Sequence, residues 1–568
     1  MSARNRRNNF LIQGSILAAT SLIVRIIGLV YRIPMTNIIG IEGMGIYTKT
    51  FEIYNFALIL SSYSLPIAVS RLVSIRRINK EYKNSYRIFV CAMLFAFVVG
   101  MIMMLGIFFG AERISTLISK GSSLTFPLRI LAPTIFIFAI MGVLRGYFQG
   151  KNTMIPTAMS QLIEQIVNAI VSIGASYIFV MNFTASVNLA SYGAAGGTLG
   201  TLIGALMGLI FLCFVFIIYR PVLNKQIRKD KDEYRESYST IFKLLLITVA
   251  PIILSQTVYQ ISGILDVTIF SNIMSTKHIS RFDLEVLEKT VLGASYQEGD
   301  INFLYGIYGT EYKLLSNVPV AVATAMGATI ITTISAAYSK GMRDVIMEKV
   351  HAAIKFNMIV AIPSAVGMGV LAAPILKMLF HEEYILPANL LMLGSIAIVF
   401  FALSTLSSSV LQGINRLRVP VINSAISLGI HVVFLVLLLH FTPLSTYALV
   451  IGNVTFALVV CVLNWLSIEK YLGYKQEILK TFVVPTISAG FMGIVTFFTY
   501  KGLMSFFTYK GFMSSQGNNN IAIIVTIPVA VIVYFAFLIF LKGVEEEELK
   551  SIPKGTALVR ILKKLHLI

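Results

Sequence analysis

The chain has 568 residues, of which 57% are hydrophobic and only 13% are charged, and its formal net charge is +20. Because soluble domains carry about 25% charged residues, this composition and a mean hydropathy of +0.82 exclude an ordinary soluble protein. The basic excess does not indicate nucleic-acid binding, since the Lys and Arg residues lie in short segments between apolar runs. We expect membrane lipids as partners, and no nucleic acid.

Apolar runs of about 20 residues recur along the whole chain, and each can cross a hydrocarbon core roughly 30 Å thick. Backbone groups in lipid must be satisfied within their own segment, so these runs are predicted to be helices. The fold class is therefore an all-α polytopic membrane protein with about fourteen spans. The predicted spans are 10–33, 46–72, 86–110, 128–149, 155–181, 193–219, 241–270, 304–335, 352–379, 388–412, 419–441, 444–467, 480–500 and 520–541.

Basic residues follow every second span. They cluster after spans two, six, eight and ten and at both termini, whereas the opposite segments 183–191 and 442–444 contain none. Loops rich in Lys and Arg stay on the cytoplasmic side of a membrane. The pattern therefore predicts a multi-pass plasma-membrane protein with both termini in the cytoplasm.

Arg25 is the clearest charge inside a predicted span. It lies about fifteen residues into span one, or roughly 22 Å along a helix that rises 1.5 Å per residue. A charge at that depth costs about 3 kcal/mol on insertion scales, so Arg25 needs a wet cavity or an ion pair. We favour a cavity in which it binds an anion, because the guanidinium fork matches phosphate oxygens. Arg32 lies two turns further on about the same face, and is either a second substrate ligand or an interface anchor.

Arg145 in span four and Glu164 in span five lie on either side of a short hairpin. We predict that they form an ion pair, which explains how both tolerate the bilayer, and we also retain them as candidate substrate-binding residues. Span six carries glycines at four-residue spacing, a pattern typical of close helix packing, with a sliding contact as the alternative. These glycines are Gly196, Gly200, Gly204 and Gly208.

Asp266 in span seven and Glu311 in span eight lie nearer the outer side of the membrane. We regard both as candidates for ion coupling, with Na⁺ or H⁺ as the coupling cation and no other cofactor or metal expected. The alternative for Asp266 is a polar group at the outer rim. Pro66 and three further prolines interrupt helical patterns and predict kinks.

An internal repeat links two segments roughly 263 residues apart, 144–167 and 410–433. Both read Gln-Gly, then a basic residue, then a proline and an apolar segment that contains serine. Six spans separate the copies, so we predict parallel repeats around a central cavity, which is transporter architecture. The predicted domains are an N-terminal lobe at 1–235, a C-terminal lobe at 236–470, and spans thirteen and fourteen with a basic tail at 471–568.

Enzyme signatures are scarce. Asp230 and Asp232 resemble the DxD metal motif of glycosyltransferases, but their charged surroundings favour a solvated face. No P-loop is present, so the chain does not couple to ATP by itself. We therefore expect a transporter and not an enzyme, with a membrane glycosyltransferase as the alternative from another class.

Four stretches resemble the polysaccharide-transporter branch of the MOP exporter superfamily, and within it the stage V sporulation protein B group and MurJ-type lipid II flippases. They are SLIVRIIGLVYRIPMTNIIGIEGMGIYTKTFEIYN, SLPIAVSRLVS, LRGYFQGKNTMIPTAMSQLIEQIV and GTEYKLLSNVPVAVATAMGATIITTISAA. The likeness runs through nearly the whole chain. Its specific part is the third stretch.

The resemblance implies a flippase that moves an undecaprenyl-pyrophosphate-linked saccharide, above all the peptidoglycan precursor lipid II, to the outer leaflet by alternating access. Separately, we expect a monomeric transporter. Arg25 resembles the family's first-span cavity arginine. Arg32 is offset by one residue from the second arginine, and Leu58 stands near the place of a third. The resemblance also implies that spans thirteen and fourteen form a groove for the lipid tail, and that the protein serves cell-wall synthesis, with sporulation as one setting.

Two alternatives within the superfamily stay open. A flippase for another lipid-linked polysaccharide unit would need the same cationic cavity. A drug or cation antiporter would need acidic groups where this chain has Arg25.

Overall fold

The computed structural model describes residues 19–544, except residues 22, 152, 187, 231–234, 290–293, 382 and 512. The described residues form helices and no β-strand, so the predicted all-α fold class is confirmed. The start of the first predicted span and most of the basic C-terminal tail lie outside the described residues.

Contacts divide the chain into two compact units. Unit 1 comprises Met1–His278 and Ser295–Gly309, and unit 2 comprises Ile279–Ala294 and Thr310–Ile568. This division differs from the predicted lobes, because the helix of span seven packs inside unit 1 and the last two spans pack inside unit 2. The boundaries predicted at 235 and 470 follow the sequence repeat, and they stay a prediction about the repeat.

Unit 1 has nine helices in its described residues. They are α1 (Ala19–Val30), α2 (Arg32–Leu58), α3 (Leu65–Ile78), α4 (Tyr82–Ser119), α5 (Thr125–Gly150), α6 (Ile155–Asn182), α7 (Leu189–Lys229), α8 (Tyr238–Met274) and α9 (Glu298–Gly306). One of its apolar cores joins α3, α4, α5, α7 and α8 through fully buried side chains. Examples are Val69, Ile88, Val143, Leu212 and Leu245.

The longer segment of unit 2 begins within the π-helical turn Ile307–Lys313, which leads into α10. Its helices are α10 (Leu314–Tyr338), α11 (Arg343–Val370), α12 (Ala372–Phe380), α13 (Ile385–Gly394), α14 (Ala397–Gly413), α15 (Arg418–Phe441), α16 (Thr446–Leu472), α17 (Val484–Lys510) and α18 (Ser515–Phe540). Its core draws buried side chains from α10, α11, α14, α17 and α18, for example Ile334, Met358, Leu406, Met492 and Leu538.

Twelve helical segments in the described part of the chain are long and apolar enough to cross a membrane. Their outward surfaces are apolar as well, since Phe109 on α4, Ile170 on α6 and Ile217 on α7 are 74%, 67% and 66% exposed. Exposed apolar area of this extent requires a lipid environment. The predicted count of fourteen spans is not confirmed.

Several helices run further than their predicted spans. Helix α7 continues to Lys229, ten residues beyond the predicted limit at 219, and α11 begins at Arg343 rather than 352. Both extensions are rich in charged residues. Hydropathy marks where lipid contact ends, whereas the backbone hydrogen bonds of a helix continue into water.

Two breaks shape the first helices. Gly40 lies inside α2 with φ of 72° and ψ of 170°, a conformation that glycine adopts without a steric cost. The loop predicted between spans one and two is therefore a helix with a sharp bend. Pro66 follows a π-helical turn at Ile59–Tyr63, which confirms the predicted interruption of this helix.

The two copies of the repeat make corresponding contacts inside their own units. Gly150 at the end of α5 packs on α3, where an added Cβ would lie 2.8 Å from Ser70 O. Gly413 at the end of α14 packs on α10, where an added Cβ would lie 2.9 Å from Ile334 Cβ. The glycine of the Gln-Gly motif thus lets α5 approach α3 in unit 1 and lets α14 approach α10 in unit 2. These equivalent contacts support the predicted repeat.

The glycine stripe of α7 packs against α6, as predicted. A Cβ on Gly196 would lie 2.6 Å from the backbone N and Cα of Ser176. We expect Gly196→Ala to lower the stability by about 1–3 kcal/mol, because the α6 backbone must move to admit the methyl group. The melting temperature in detergent, determined from the fraction of protein that stays folded after heating, measures this loss.

Gly174→Ala on α6 is the matched control. No atom lies within 4 Å of its added Cβ, and alanine has the higher helix propensity. We therefore expect an unchanged or slightly higher melting temperature for this variant. Equal melting temperatures for the two variants would contradict the packing argument.

Candidate functional site

Lys49 on α2 is fully buried in unit 1. Its ammonium Nζ donates to Asn302 Oδ1 at 2.8 Å, to Ser271 Oγ at 3.0 Å and to Ser119 Oγ at 3.4 Å. The Tyr305 ring centroid lies 5.5 Å away. The acceptors belong to α9, α8 and the end of α4, so one ammonium group links four helices.

Two buried carboxylates lie near Tyr305, whose ring faces this lysine. Glu52, one turn along α2, is 8% exposed and accepts a hydrogen bond from Gln260 Nε2 of α8 at 3.2 Å. Asp266, also on α8, is 3% exposed, and both acids lie within electrostatic reach of Tyr305. We call Lys49, Glu52 and Asp266 the buried charge cluster. The three charged side chains are related through the ring of Tyr305.

Lys49 was not among the residues predicted from the sequence. It nonetheless meets the criterion that identified Arg25, which is a charge inside a predicted span. It lies inside predicted span two, three residues before Glu52. A lysine near a span end ordinarily extends its ammonium to the interface. The signal that identifies it is the pair of opposite charges one helical turn apart in an apolar run.

The predicted ion pair between Arg145 and Glu164 is confirmed. The Arg145 guanidinium Nη2 lies 2.7 Å from Glu164 Oε2, and its Nε donates to Ser160 Oγ at 3.0 Å. The side chains are 10% and 20% exposed. The pair joins α5 to α6, and its predicted role in substrate binding stays a prediction.

Arg32 and Arg25 have different surroundings. Arg32 is half-buried, and its guanidinium carbon lies 5.7 Å from the ring centroid of Tyr47, whose hydroxyl is 2.9 Å from that of Tyr31. Arg25 on α1 is exposed, and it has no hydrogen bond or ion pair with any described residue. One turn later Gly28 packs on Gln165 of α6. The predicted contact of Arg25 with an anion stays a prediction.

The two candidate ion-coupling acids lie in different compact units. Asp266 belongs to the buried charge cluster of unit 1. Glu311 is fully buried inside the π-helical turn Ile307–Lys313, in unit 2. Each is buried as a cation site requires, and their role in coupling stays a prediction.

Asp230 is buried and not solvated, so the predicted solvated face is wrong at this position. Its Oδ2 accepts a hydrogen bond from the backbone N–H of Lys83 at 2.7 Å, in the first turn of α4. This carboxylate satisfies a free N–H at a helix start, where negative charge is favourable. Asp232 lies outside the described residues.

Comparisons with known proteins identify two matching families. Residues 11–338 match the family described as "Polysaccharide biosynthesis protein", which is more than half of the chain. Residues 312–517 match the family described as "Lipid II flippase MurJ". Together the two matches extend from the first predicted span to the start of α18.

Two relatives come from Bacillus subtilis (strain 168). The chain is 25% identical over 508 residues to "Lipid II flippase MurJ", covering 87% of this chain and 88% of the relative. It is 32% identical over 219 residues to "Stage V sporulation protein B", covering 38% of this chain and 41% of the relative. These matches agree with the resemblance predicted from the sequence.

Solved structures share the fold at low sequence identity. A structure of "Lipid II flippase MurJ, inward closed conformation" has a TM-score of 0.63 at 16% identity, covering 92% of this chain and 97% of that chain. An inward-facing multidrug resistance MATE family transporter of the MOP superfamily has the same TM-score and identity, covering 80% and 98%. The fold is that of MOP-superfamily transporters.

The Arg145–Glu164 pair predicts a measurable energetic coupling. Arg145→Ala alone leaves Glu164 without its partner, so the double variant Arg145→Ala/Glu164→Ala should lose less stability than the two single changes summed. We expect a coupling free energy of about 0.5–3 kcal/mol from thermal unfolding in detergent. Arg129→Ala serves as the control, because Arg129 is 44% exposed and lies 4.0 Å from Glu112. Additive losses for the two positions would disprove the coupling.

Proposed function

The chain belongs to the family described as "Polysaccharide biosynthesis protein", and from that premise we propose that it is a flippase for a lipid-linked saccharide. The cargo we propose is the undecaprenyl-pyrophosphate-linked peptidoglycan precursor lipid II, carried from the inner to the outer leaflet of the plasma membrane. One observation carries the proposal: Arg25 presents an exposed guanidinium on the short apolar helix α1, without a hydrogen bond or ion pair to a described residue. The match to a lipid II flippase over 87% of the chain supports the choice of cargo.

An accessible guanidinium suits the physical chemistry of such a cargo, which has a polar and an apolar part. A pyrophosphate with attached sugars is too polar to enter hydrocarbon, whereas its polyprenyl chain is soluble there. A guanidinium on a membrane helix gives the pyrophosphate a charged, bidentate partner during the crossing. Arg32 on the following helix supplies a second cation of the same kind.

The charge of these residues favours an anionic cargo over a cationic drug. An antiporter for organic cations needs exposed carboxylates along its path. Here the carboxylates of Glu52, Asp266 and Glu311 are buried, and the exposed charged group of α1 is Arg25. A flippase for another lipid-linked glycan is the second candidate, supported by the family description of residues 11–338.

We propose that a cation drives the cycle. Two-state transport needs an energy source that favours one state, and each charge moved through the membrane contributes about 2.3 kcal/mol per 100 mV. Asp266 and Glu311 are the candidate sites for Na⁺ or H⁺, because both are acids buried within membrane helices. No catalytic step and no further cofactor enters this scheme.

The lipid tail needs an apolar surface next to the transport path. Helices α17 and α18 pack on each other, with the Phe491 and Phe537 ring centroids 3.8 Å apart. They also expose large apolar side chains, such as Ile494, Phe498 and Ile532. We propose that the polyprenyl chain of the cargo lies along these two helices.

Arg25→Ala is expected to abolish growth of a strain that depends on this protein as its sole lipid II flippase. The reason is that the change removes the proposed phosphate contact, while Arg25 is exposed and has no hydrogen bond or ion pair with a described residue. Membrane insertion and melting temperature should therefore remain those of the wild type. Arg25→Lys keeps the charge without the bidentate fork and should retain part of the activity.

Arg129→Ala is again the control, since it removes one partly exposed arginine from another membrane helix of the same unit. It should grow like the wild type. Normal growth of the Arg25→Ala strain would refute the role assigned to Arg25.

Cargo identity is tested with the purified protein in proteoliposomes. We expect lipid II to become accessible at the opposite leaflet faster than an undecaprenyl-pyrophosphate-linked unit of another glycan. If the other glycan moves as fast or faster, lipid II is not the specific cargo. If neither moves under an imposed Na⁺ gradient, H⁺ gradient or membrane potential, the flippase proposal itself fails.

A further inference from the structure

Each copy of the Gln-Gly repeat places a basic residue on a tyrosine ring. In unit 1, Lys151 follows α5, and its Nζ lies 2.8 Å from the ring centroid of Tyr219 on α7. In unit 2, the guanidinium carbon of Arg416, in the turn after α14, lies 4.6 Å from the ring centroid of Tyr471 on α16. The basic residue of the motif thus has a fixed position in both units. A cation over an aromatic face is held by the charge distribution of the ring.

In unit 1, a second cation lies beside this position. Arg77, in the last turn of α3, donates to Gln226 Oε1 at 3.3 Å, and the same oxygen accepts from the Tyr219 hydroxyl at 2.9 Å. Lys151 and Arg77 therefore meet around Tyr219, one on its ring and the other through its hydrogen-bond partner. Both side chains are half-buried, so each still reaches solvent.

The neighbouring arginine has opposite surroundings. Arg76 forms a close ion pair with Glu236, with Nη2 2.7 Å from Oε1 and the two side chains 14% and 13% exposed. Arg77 and Lys151 have no ion pair with a carboxylate in the part of the chain that the structure describes. Like charges held together in a half-buried site repel each other until an anion binds between them.

The pKa of Lys151 reflects these surroundings. Burial first, and then the positive charge of Arg77, lower the pKa of this lysine to about 7. The rings of Tyr147 on α5 and Tyr219 on α7 face the Lys151 ammonium, and the Tyr82 ring of α4 faces the guanidinium of Arg77. The positive charge of Lys151 is therefore lost as the pH rises from 6 to 8.

We propose that Lys151, Arg77 and Tyr219 form a binding site for the phosphate of a membrane lipid, which receives the pyrophosphate of the cargo before transport. The guanidinium of Arg77 supplies a fork for two phosphate oxygens, and the ammonium of Lys151 supplies a compact charge. The site lies at the end of unit 1 that carries Arg76, Arg77, Lys80 and Lys151, which we call the basic end of unit 1. We place this end at the headgroups of an anionic leaflet. The part that concerns the cargo rests on the proposed function, whereas the phosphate site does not.

The test measures lipid binding to the purified full-length protein in detergent, with lipid II and with phosphatidylglycerol. We expect Lys151→Gln and Arg77→Gln each to weaken lipid II binding about tenfold, which corresponds to about 1.4 kcal/mol. Lys80→Gln is the matched control, because it removes one exposed charge from the same end of unit 1, and its affinity should stay within about twofold of the wild type. Unchanged melting temperatures establish that the variants are folded.

The pH dependence separates a charged site from a structural role. Phosphodiesters stay ionised between pH 6 and 8, so loss of the Lys151 charge should weaken wild-type binding about tenfold over this range. Lys151→Arg keeps its charge throughout and should bind with a nearly constant affinity. A wild-type affinity that does not change with pH, or Gln variants that bind normally, would overturn the site.

Two further outcomes distinguish the sources of the phosphate. If lipid II outcompetes phosphatidylglycerol, and Lys151→Gln slows flipping at low lipid II but not at saturation, the site receives cargo. If phosphatidylglycerol binds as tightly and Lys151→Gln flips normally, cargo reception is refuted, and the site holds an ordinary anionic lipid. If the wild type flips no lipid II while the Gln variants still lose phosphatidylglycerol binding, the proposed function fails and the phosphate site stands.

Discussion

The arrangement of unit 1 depends on the cost of holding a charge where water is scarce. Two ways of compensating that cost occur in the same set of helices. Lys49 donates to oxygens from three helices, and Arg145 lies 2.7 Å from Glu164. Arg25 uses neither solution, because it stays exposed on α1. A charge that the fold compensates contributes to packing, whereas a charge left accessible is available to a ligand. This difference distinguishes structural charges from candidate cargo contacts.

Close helix packing gives these charges fixed positions. The Lys49 contacts require α2 and α9 to lie almost backbone to backbone, and at Gly45 and Gly306 an added Cβ would meet the backbone of the other helix. The same principle holds for α6 and α7, where Ser172 Oγ donates to Gly197 O at 2.9 Å. The hydrophobic effect does not drive helices together in lipid, because lipid tails are as apolar as the side chains. Where no side chains separate the backbones, dispersion contacts and short hydrogen bonds hold the helices together instead.

The sequence predicted what is local and missed what is distant. Helices and the Arg145–Glu164 pair were predictable, because hydropathy acts within one span and the pair closes one hairpin, nineteen residues apart. Lys49 was not predictable in this way, since its acceptors lie 70, 222 and 253 positions away. The same limit applies to α8, which the repeat assigns to the second lobe and whose Gln260 nonetheless hydrogen-bonds Glu52 in unit 1. A sequence repeat shows which helices are similar, whereas the complementary faces of the helices determine which of them pack together.

The basic end of unit 1 shows why a count of charges does not describe a site. The positive-inside rule explains how many Lys and Arg residues follow a span, and any solvated lysine satisfies it. It does not explain why Lys151 lies on the ring of Tyr219 with Arg77 nearby, while Arg76 is neutralised by Glu236. It also does not explain why the second repeat places Arg416 on Tyr471. Orientation requires only the number of charges, whereas recognition of a phosphate requires fixed positions, and the structure gives Lys151 and Arg77 such positions.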